Sequence, residues 1–290
     1  MQISVMQMCP GHDKAANIAQ ARAILDAAPD LHGFVCLPEM WSCLGGDRAA
    51  KFEQSEVLPG FGSAAVGGAA YEFLRNTALA RGLVVHGGSI CERGEGTEAG
   101  RLFNTTVVFD PDGREIARYR KIHLFDIVTP DGTGYRESAT YGAGQEIVTY
   151  QAQGITVGCT ICYDMRFGEL FLSLRQRGAE LIFAPAAFTV PTGQAHWHVL
   201  LRARAIETQS WVAASATVGE HVDGKAEKRA TYGHSLICDP WGRVVAEKPE
   251  GIGLVTATMD RMATARIRRD MPVLEHRAAR NVAALAEYAA

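Results

Sequence analysis

The chain has 290 residues, enough for one large α/β domain or two small ones. With 47% hydrophobic and 21% charged residues it has the composition of a globular protein with a sizeable core, and no apolar run approaches the length of a membrane span. The net charge of −3 gives no electrostatic footprint for nucleic acid or an anionic membrane as partner.

Met1 to Met8 alternates as a strand, with no basic leader before it. Lys14 to Ala28 carries Ile18, Ala21, Ile24 and Leu25 on one helical face before Pro29 ends it. Gly33 to Leu37 reads as a short buried strand leading directly into Pro38 and Glu39. Ala64 to Arg81 has helical spacing with Gly82 as its stop, and Leu83 to Gly88 returns as a strand. Leu102 to Phe109 and Glu115 to Arg120 flank the turn Asp110-Pro111-Asp112-Gly113, and a loop runs from Lys121 to about Gly144. Leu181 to Pro185 is a strand, His196 to Gln209 a helix and Val212 to Ala216 a strand. The charged run His221 to Arg229 reads as a solvated loop. Ser235 to Cys238 and Arg243 to Glu247 pair across Asp239-Pro240-Trp241-Gly242, Leu254 to Met259 is the last strand, and Asp260 caps a basic helix to about Arg269. Strands and helices mix without linker or repeat, which predicts one α/β domain over residues 1–270 built from two packed mixed sheets, with 271–290 as a surface arm.

The stretch from Gly154 to Leu172 carries the chemistry. Ile155 to Ile161 is β-branched and apolar, Tyr163-Asp164-Met165-Arg166 is polar, and Phe167, Leu170, Phe171 and Leu174 follow at helical spacing. The period changes at Cys162, which places its thiol on a strand-to-helix turn beside free backbone N–H groups. A helix start favours a thiolate and any oxyanion formed next to it. The competing reading is a buried structural cysteine. Cys159 and Cys162 also form a CxxC, but extended residues three apart are separated by roughly 10 Å, beyond the ~7 Å limit for a disulfide. No second Cys or His pair supplies zinc spacing, and His196 and His198, two apart on a helix, point to different faces.

Amide or nitrile hydrolysis by cysteine needs a proton shuttle and a positive group as well as the nucleophile. Glu39 lies just beyond an apolar strand and reads either as a surface residue or as a placed base. Lys121 opens a loop containing His123, Leu124 and Phe125, where it is either a functional cation or a snorkelling lysine.

LPEMW around Glu39, YRKIHLFD around Lys121, CYDMRFGEL around Cys162, GQAHWHVLLRARAIETQ and YGHSLICDPWG occur in one order along nearly the whole chain. Together they resemble the nitrilase, or carbon–nitrogen hydrolase, superfamily. The resemblance implies a four-layer αββα sandwich and a Glu39–Lys121–Cys162 triad. It also implies Glu137 of GYRES as a second carboxylate, and the Tyr163 N–H acting with Lys121 on the oxyanion. It implies a thioester route with no metal or organic cofactor. Arg166 either grips a substrate carboxylate or pairs with Asp164 or Glu169. The family often has Pro where this chain has Gly168. RAIETQ, YGHS and AHWHVLLRAR look most like the branch that hydrolyses deaminated glutathione. CYDMRF is shared with ω-amidases acting on α-ketoglutaramate, and a nitrilase, an N-acyltransferase or a catalytically silent binding protein are the other readings. The loops Ser42 to Gly60 and Phe188 to Gln194 are expected to set the substrate. Family members associate through helices beside the nucleophile, so a homodimer or larger homo-oligomer is expected. Phe171, Leu172 and Leu174 would supply the apolar surface, and the tail from Met271 would cross to the partner.

Overall fold

The computed structural model describes residues 1–129, 132–222 and 228–279. Two mixed sheets form its centre. In the first, the spatial order is Gly253–Thr258, Gln2–Gln7, Phe34–Cys36, Val84–His86, Leu102–Phe109 and Ile90–Arg93, with Glu115–Arg120 and Tyr141–Gly142 also pairing with Leu102–Phe109. The second runs Thr149–Ala152, Ile155–Cys159, Leu181–Phe183, Trp211–Ala214, Ser235–Cys238 and Val244–Lys248. Each sheet has three parallel strands at its centre. Parallel neighbours require crossovers, and helices supply them: Lys14–Asp26 and Ala69–Arg81 over one sheet, Gly168–Gln176 and Val190–Thr208 over the other.

Period-two alternation sorts the first sheet's side chains between two cores. Ile3, Val5, Phe34, Cys36, Val84 and Val108 join one cluster with Val157, Leu181 and Phe183 of the opposite sheet. Met6, Val35, Leu37, Val85 and Phe109 join a second with Ile24, Leu25 and Leu74 of the outer helices. The Phe34 and Phe183 rings meet across the interface at 6.2 Å. This is the αββα sandwich expected.

Several local expectations change. The helix expected from Ala64 begins at Ala69, because Gly68 is extended and Glu56 accepts from the Ala70 and Tyr71 N–H groups, supplying the cap from a remote loop. A side chain at Gly68 would collide with the Glu56 carboxylate. The helix expected from His196 starts six residues earlier, where Thr189 accepts from the Thr192 N–H and Pro191 sits in the first turn. The loop after Lys121 contains a small hairpin, Asp126–Val128 with Gly134–Arg136. His221 to Arg229 is not a solvated loop over its described part. It belongs to the hairpin Val218–Val222 with Lys228–Tyr232, and His221 is buried against Pro10 and Thr231. Residues 223–227 of that run lie outside the described residues. Phe171 and Leu174 are fully buried and Leu172 is half-buried, so they are not the apolar surface expected, whereas Val199, Ile206 and Trp241 are exposed. In the tail, a helix spans Val273–Ala279, and residues 280–290 lie outside the described residues.

Candidate active site

Glu39 and Cys162 occupy corresponding places in the two sheets, three residues beyond the parallel strands Phe34–Cys36 and Ile155–Cys159. Ligands of α/β sheets gather at such carboxyl ends, where crossovers diverge and leave a crevice. Cys162 adopts a left-handed φ of 48°, a conformation costing a non-glycine residue about 1–3 kcal/mol. Its N–H donates to Pro185 O at 2.8 Å, which pins the turn to the neighbouring strand's extension. The next N–H, that of Tyr163, has no partner among the described residues. Its ring packs edge-on against Phe125 and Phe167, so the amide is held while remaining available.

Lys121 begins directly after the strand Glu115–Arg120 and is buried. Its Nζ donates to Glu39 Oε1 at 2.9 Å and to Glu137 Oε2 at 2.8 Å. An ammonium has three protons, so one remains for a ligand. Burial works against its charged form, but the carboxylates of Glu137 and Glu39 outweigh that and hold its pKa well above the ordinary lysine value. Asn104 Nδ2 donates to Glu39 Oε1 at 2.9 Å and to Glu137 Oε1 at 3.2 Å, the Ala187 N–H donates to Glu39 Oε2 at 2.8 Å, and the Phe125 N–H donates to Glu137 Oε2 at 2.6 Å. Both carboxylates are therefore fixed in position by several donors.

Burial, with Glu39 beside it, pushes the Cys162 thiol well above the usual cysteine value, against the pull of Lys121. The sequence suggested a thiolate favoured by a helix start. The turn here is a single 3₁₀ segment, Cys162–Arg166, and burial with the Glu39 carboxylate disfavours the thiolate there. Glu39 is the neighbouring group that can take the thiol proton.

Asp164 ties the two loops together. It is fully buried and accepts from the Ile161 N–H (2.8 Å), the His123 N–H (3.0 Å) and Tyr119 Oη (2.6 Å), with His123 Nδ1 at 2.8 Å. Asp164 is therefore not the partner of Arg166. The Arg166 guanidinium meets His196 Nδ1 at 3.3 Å and lies over the Phe188 and Tyr163 rings, 5.5 and 5.7 Å from their centroids.

Glu39, Lys121, Glu137 and Cys162 share the wall of a cavity of about 480 Å³, and Arg166 is not in its lining. The cations farther out are Arg48, Lys51, Arg136 and Arg229, against one additional acid, Asp47. Arg48 and Lys51 come from the segment expected to set the substrate, and Arg229 from the hairpin taken for a solvated loop. Asn104 was missed as well. Its signal is a carboxamide inside the otherwise apolar and threonine-rich run Leu102 to Phe109, where asparagine is disfavoured unless something binds it.

A family model described as carbon-nitrogen hydrolase matches residues 2–269. The deaminated glutathione amidase of Synechocystis sp. is 38% identical over 277 residues, covering 94% of this chain and 97% of that protein. The omega-amidase NIT2 of Homo sapiens is 36% identical over 279 residues, covering 95% and 94%. Among solved structures, Nit3 of Saccharomyces cerevisiae, described as a member of branch 10 of the nitrilase superfamily, superimposes with a TM-score of 0.81 at 29% identity, covering 94% of each chain. The agreement extends from end to end of the sandwich and includes the strands that carry the site; this chain belongs to the carbon–nitrogen hydrolase family.

Proposed function

We propose that this carbon–nitrogen hydrolase is a cysteine-dependent amidase in which Cys162 is the nucleophile, Glu39 the proton shuttle, Lys121 and the Tyr163 N–H the oxyanion donors, and Glu137 the carboxylate that orients Lys121. One observation carries the reading: a buried ammonium donates to the buried Glu39 carboxylate and the half-buried Glu137 carboxylate on the same cavity wall as a left-handed cysteine. Glu39 takes the thiol proton as Cys162 Sγ attacks the amide carbon. The oxyanion meets the third Lys121 proton and the Tyr163 N–H. Glu39 returns the proton to the leaving nitrogen, ammonia departs, and a thioester remains. Glu39 then takes a proton from water, hydroxide adds to the thioester carbonyl, and the acid leaves as the thiol is re-formed.

The substrate is proposed to be a small amide bearing a remote carboxylate, of the deaminated-glutathione class. The four outer cations support this, since a concave wall rich in positive charge attracts and orients an anion. The volume supports the longer substrate over a compact ω-amide, lying within the roughly 300–1,000 Å³ of pockets that enclose drug-sized ligands. Ammonia release from a panel of deaminated peptide amides, short ω-amides and nitriles tests the assignment. Fastest turnover of a nitrile, or no turnover of any amide, would reject it.

We further propose a cytoplasmic homo-oligomer. Seven free cysteines support a reducing compartment. No helix among the described residues is long and apolar enough to cross a membrane. The exposed Val199 and Ile206 of the helix Val190–Thr208 supply an apolar face for a second copy. Sedimentation showing only monomer at micromolar concentration would remove the assembly proposal.

A further inference from the structure

We propose that His198, His234 and Glu247 form a binding site for one divalent transition-metal ion of the zinc class, outside the catalytic cavity. The three residues come from three different elements: the helix Val190–Thr208, the segment before the strand Ser235–Cys238, and the edge strand Val244–Lys248. Their ligand atoms all lie within 4.8 Å of one another. His198 Nε2 is 2.8 Å and His234 Nδ1 2.6 Å from the same oxygen, Glu247 Oε1. Two imidazole nitrogens converging on one carboxylate oxygen are a few tenths of an ångström closer than ligands around a shared ion. Loss of the two bridging protons and a small rotamer adjustment would admit the ion. None of the three lines the cavity.

The supports are rigid. Trp197, adjacent to His198, is fully buried, and its Nε1 donates to His234 O at 2.8 Å, so the two histidines are linked through the neighbouring indole. The Ser235 N–H donates to Gln7 Oε1 at 2.7 Å, and Leu236 pairs with Glu247 across the ladder. The Tyr232 ring stacks on His234 at 4.2 Å and 20°, closing one side. Ligands fixed in this way lose little freedom on binding metal. Two imidazoles with one carboxylate suit zinc, copper or nickel, whereas magnesium and calcium favour sets dominated by oxygen. Partial exposure of all three side chains leaves room for water in the remaining positions.

The ion would clip the long outer helix to the sheet's edge strand. It would also brace Tyr232, whose strand contributes Arg229, Ala230 and Thr231 to the cavity wall. Its role is therefore structural, and it enters no step of the hydrolysis. His198 and His196 point apart, so local spacing does not reveal the site; the partners of His198 lie 36 and 49 residues away.

The test uses the full chain carrying Cys162→Ala, so that the cavity thiol does not compete for metal. Calorimetric titration with Zn²⁺ is expected to show one equivalent bound, with a rise in Tm of about 3 °C or more at a hundredfold excess over Kd. Mg²⁺ is expected to give neither. His198→Gln, Glu247→Gln and His234→Asn, the last chosen because asparagine tolerates the left-handed φ of 58° at that position, should each weaken Zn²⁺ at least tenfold. With Cu²⁺, paramagnetic resonance should count two imidazole nitrogens in the parent and one in either folded histidine variant. Absence of stoichiometric Zn²⁺ binding, unchanged affinity in the variants, or a Cu²⁺ spectrum without two imidazoles in the parent would each overturn the site.

Discussion

The Asp164 carboxylate accepts the His123 N–H at 3.0 Å and lies 2.8 Å from its Nδ1, joining the loop that carries Lys121 to the turn that carries Cys162. The His123 ring also stacks on Phe167 at 3.6 Å and 8°. Cys162 and Lys121 follow strands of different sheets, and this junction links the two segments. Asp164→Ala leaves the Ile161 N–H, the His123 N–H and Tyr119 Oη without their acceptor. Each stranded buried donor costs about 1–3 kcal/mol, so urea unfolding should show a loss of about 3 kcal/mol or more. A loss below 1 kcal/mol would mean that Asp164 is not the tie described.

In the proposed mechanism, Lys121→Met removes one oxyanion donor together with its charge. Turnover should fall by at least the ~10²–10³-fold typical of a lost oxyanion donor. Steady-state kinetics on the best amide of the panel checks this, with circular dichroism to verify the fold. Near-normal activity would return Lys121 to a purely structural role.

Recognition of a distal carboxylate is expected to rest on the lining cations rather than on Arg166, whose guanidinium is engaged with His196 outside the lining. The acid should be preferred over its methyl ester, and Arg136→Gln should lower the acid-to-ester ratio of kcat/KM by about 10- to 100-fold, the worth of one charge-assisted hydrogen bond. Arg166→Lys should leave the ratio unchanged. The reverse pattern would assign recognition to Arg166.

His86 gives a pH signature of the sandwich itself. Burial between the sheets, against Phe183 and Tyr150, pushes its pKa from 6.5 down to about 3. The unfolded chain takes up a proton below 6.5, whereas the folded chain resists until about 3. The stabilising contribution is thus full above 6.5 and is lost as pH falls through that window. At pH 5 the loss should be about 2 kcal/mol. Urea unfolding at pH 7.5 and 5 should show it, and His86→Gln should flatten this acid dependence. Equal pH dependence in both proteins would contradict a buried neutral histidine.

Glu39, Lys121 and Cys162 each stand just beyond a strand, which makes them candidates, but the residues alone leave Glu39 readable as a surface acid and Lys121 as a snorkelling lysine; the motif resemblance is what joins the three. The two packed sheets covered by helices were legible from the mixture of strand and helix periods. The parts that were not legible depend on distant partners. The Glu56 cap on the helix Ala69–Arg81 involves a carboxylate with no local pattern. The run His221 to Arg229 reads as solvated because its polar residues carry no apolar alternation, yet His221 and Arg229 line the cavity. Arg166 lies four residues after Cys162, yet at the end of the 3₁₀ turn its guanidinium meets His196.

Of the seven free cysteines, Cys162 is the one expected to be the covalent partner. The most direct measurement is peptide mass spectrometry after treatment with an electrophilic amide analogue. The expected result is a single adduct on Cys162, concurrent with loss of ammonia release and absent in a folded Cys162→Ala protein. An adduct on another cysteine with Cys162 unmodified and activity abolished would contradict it.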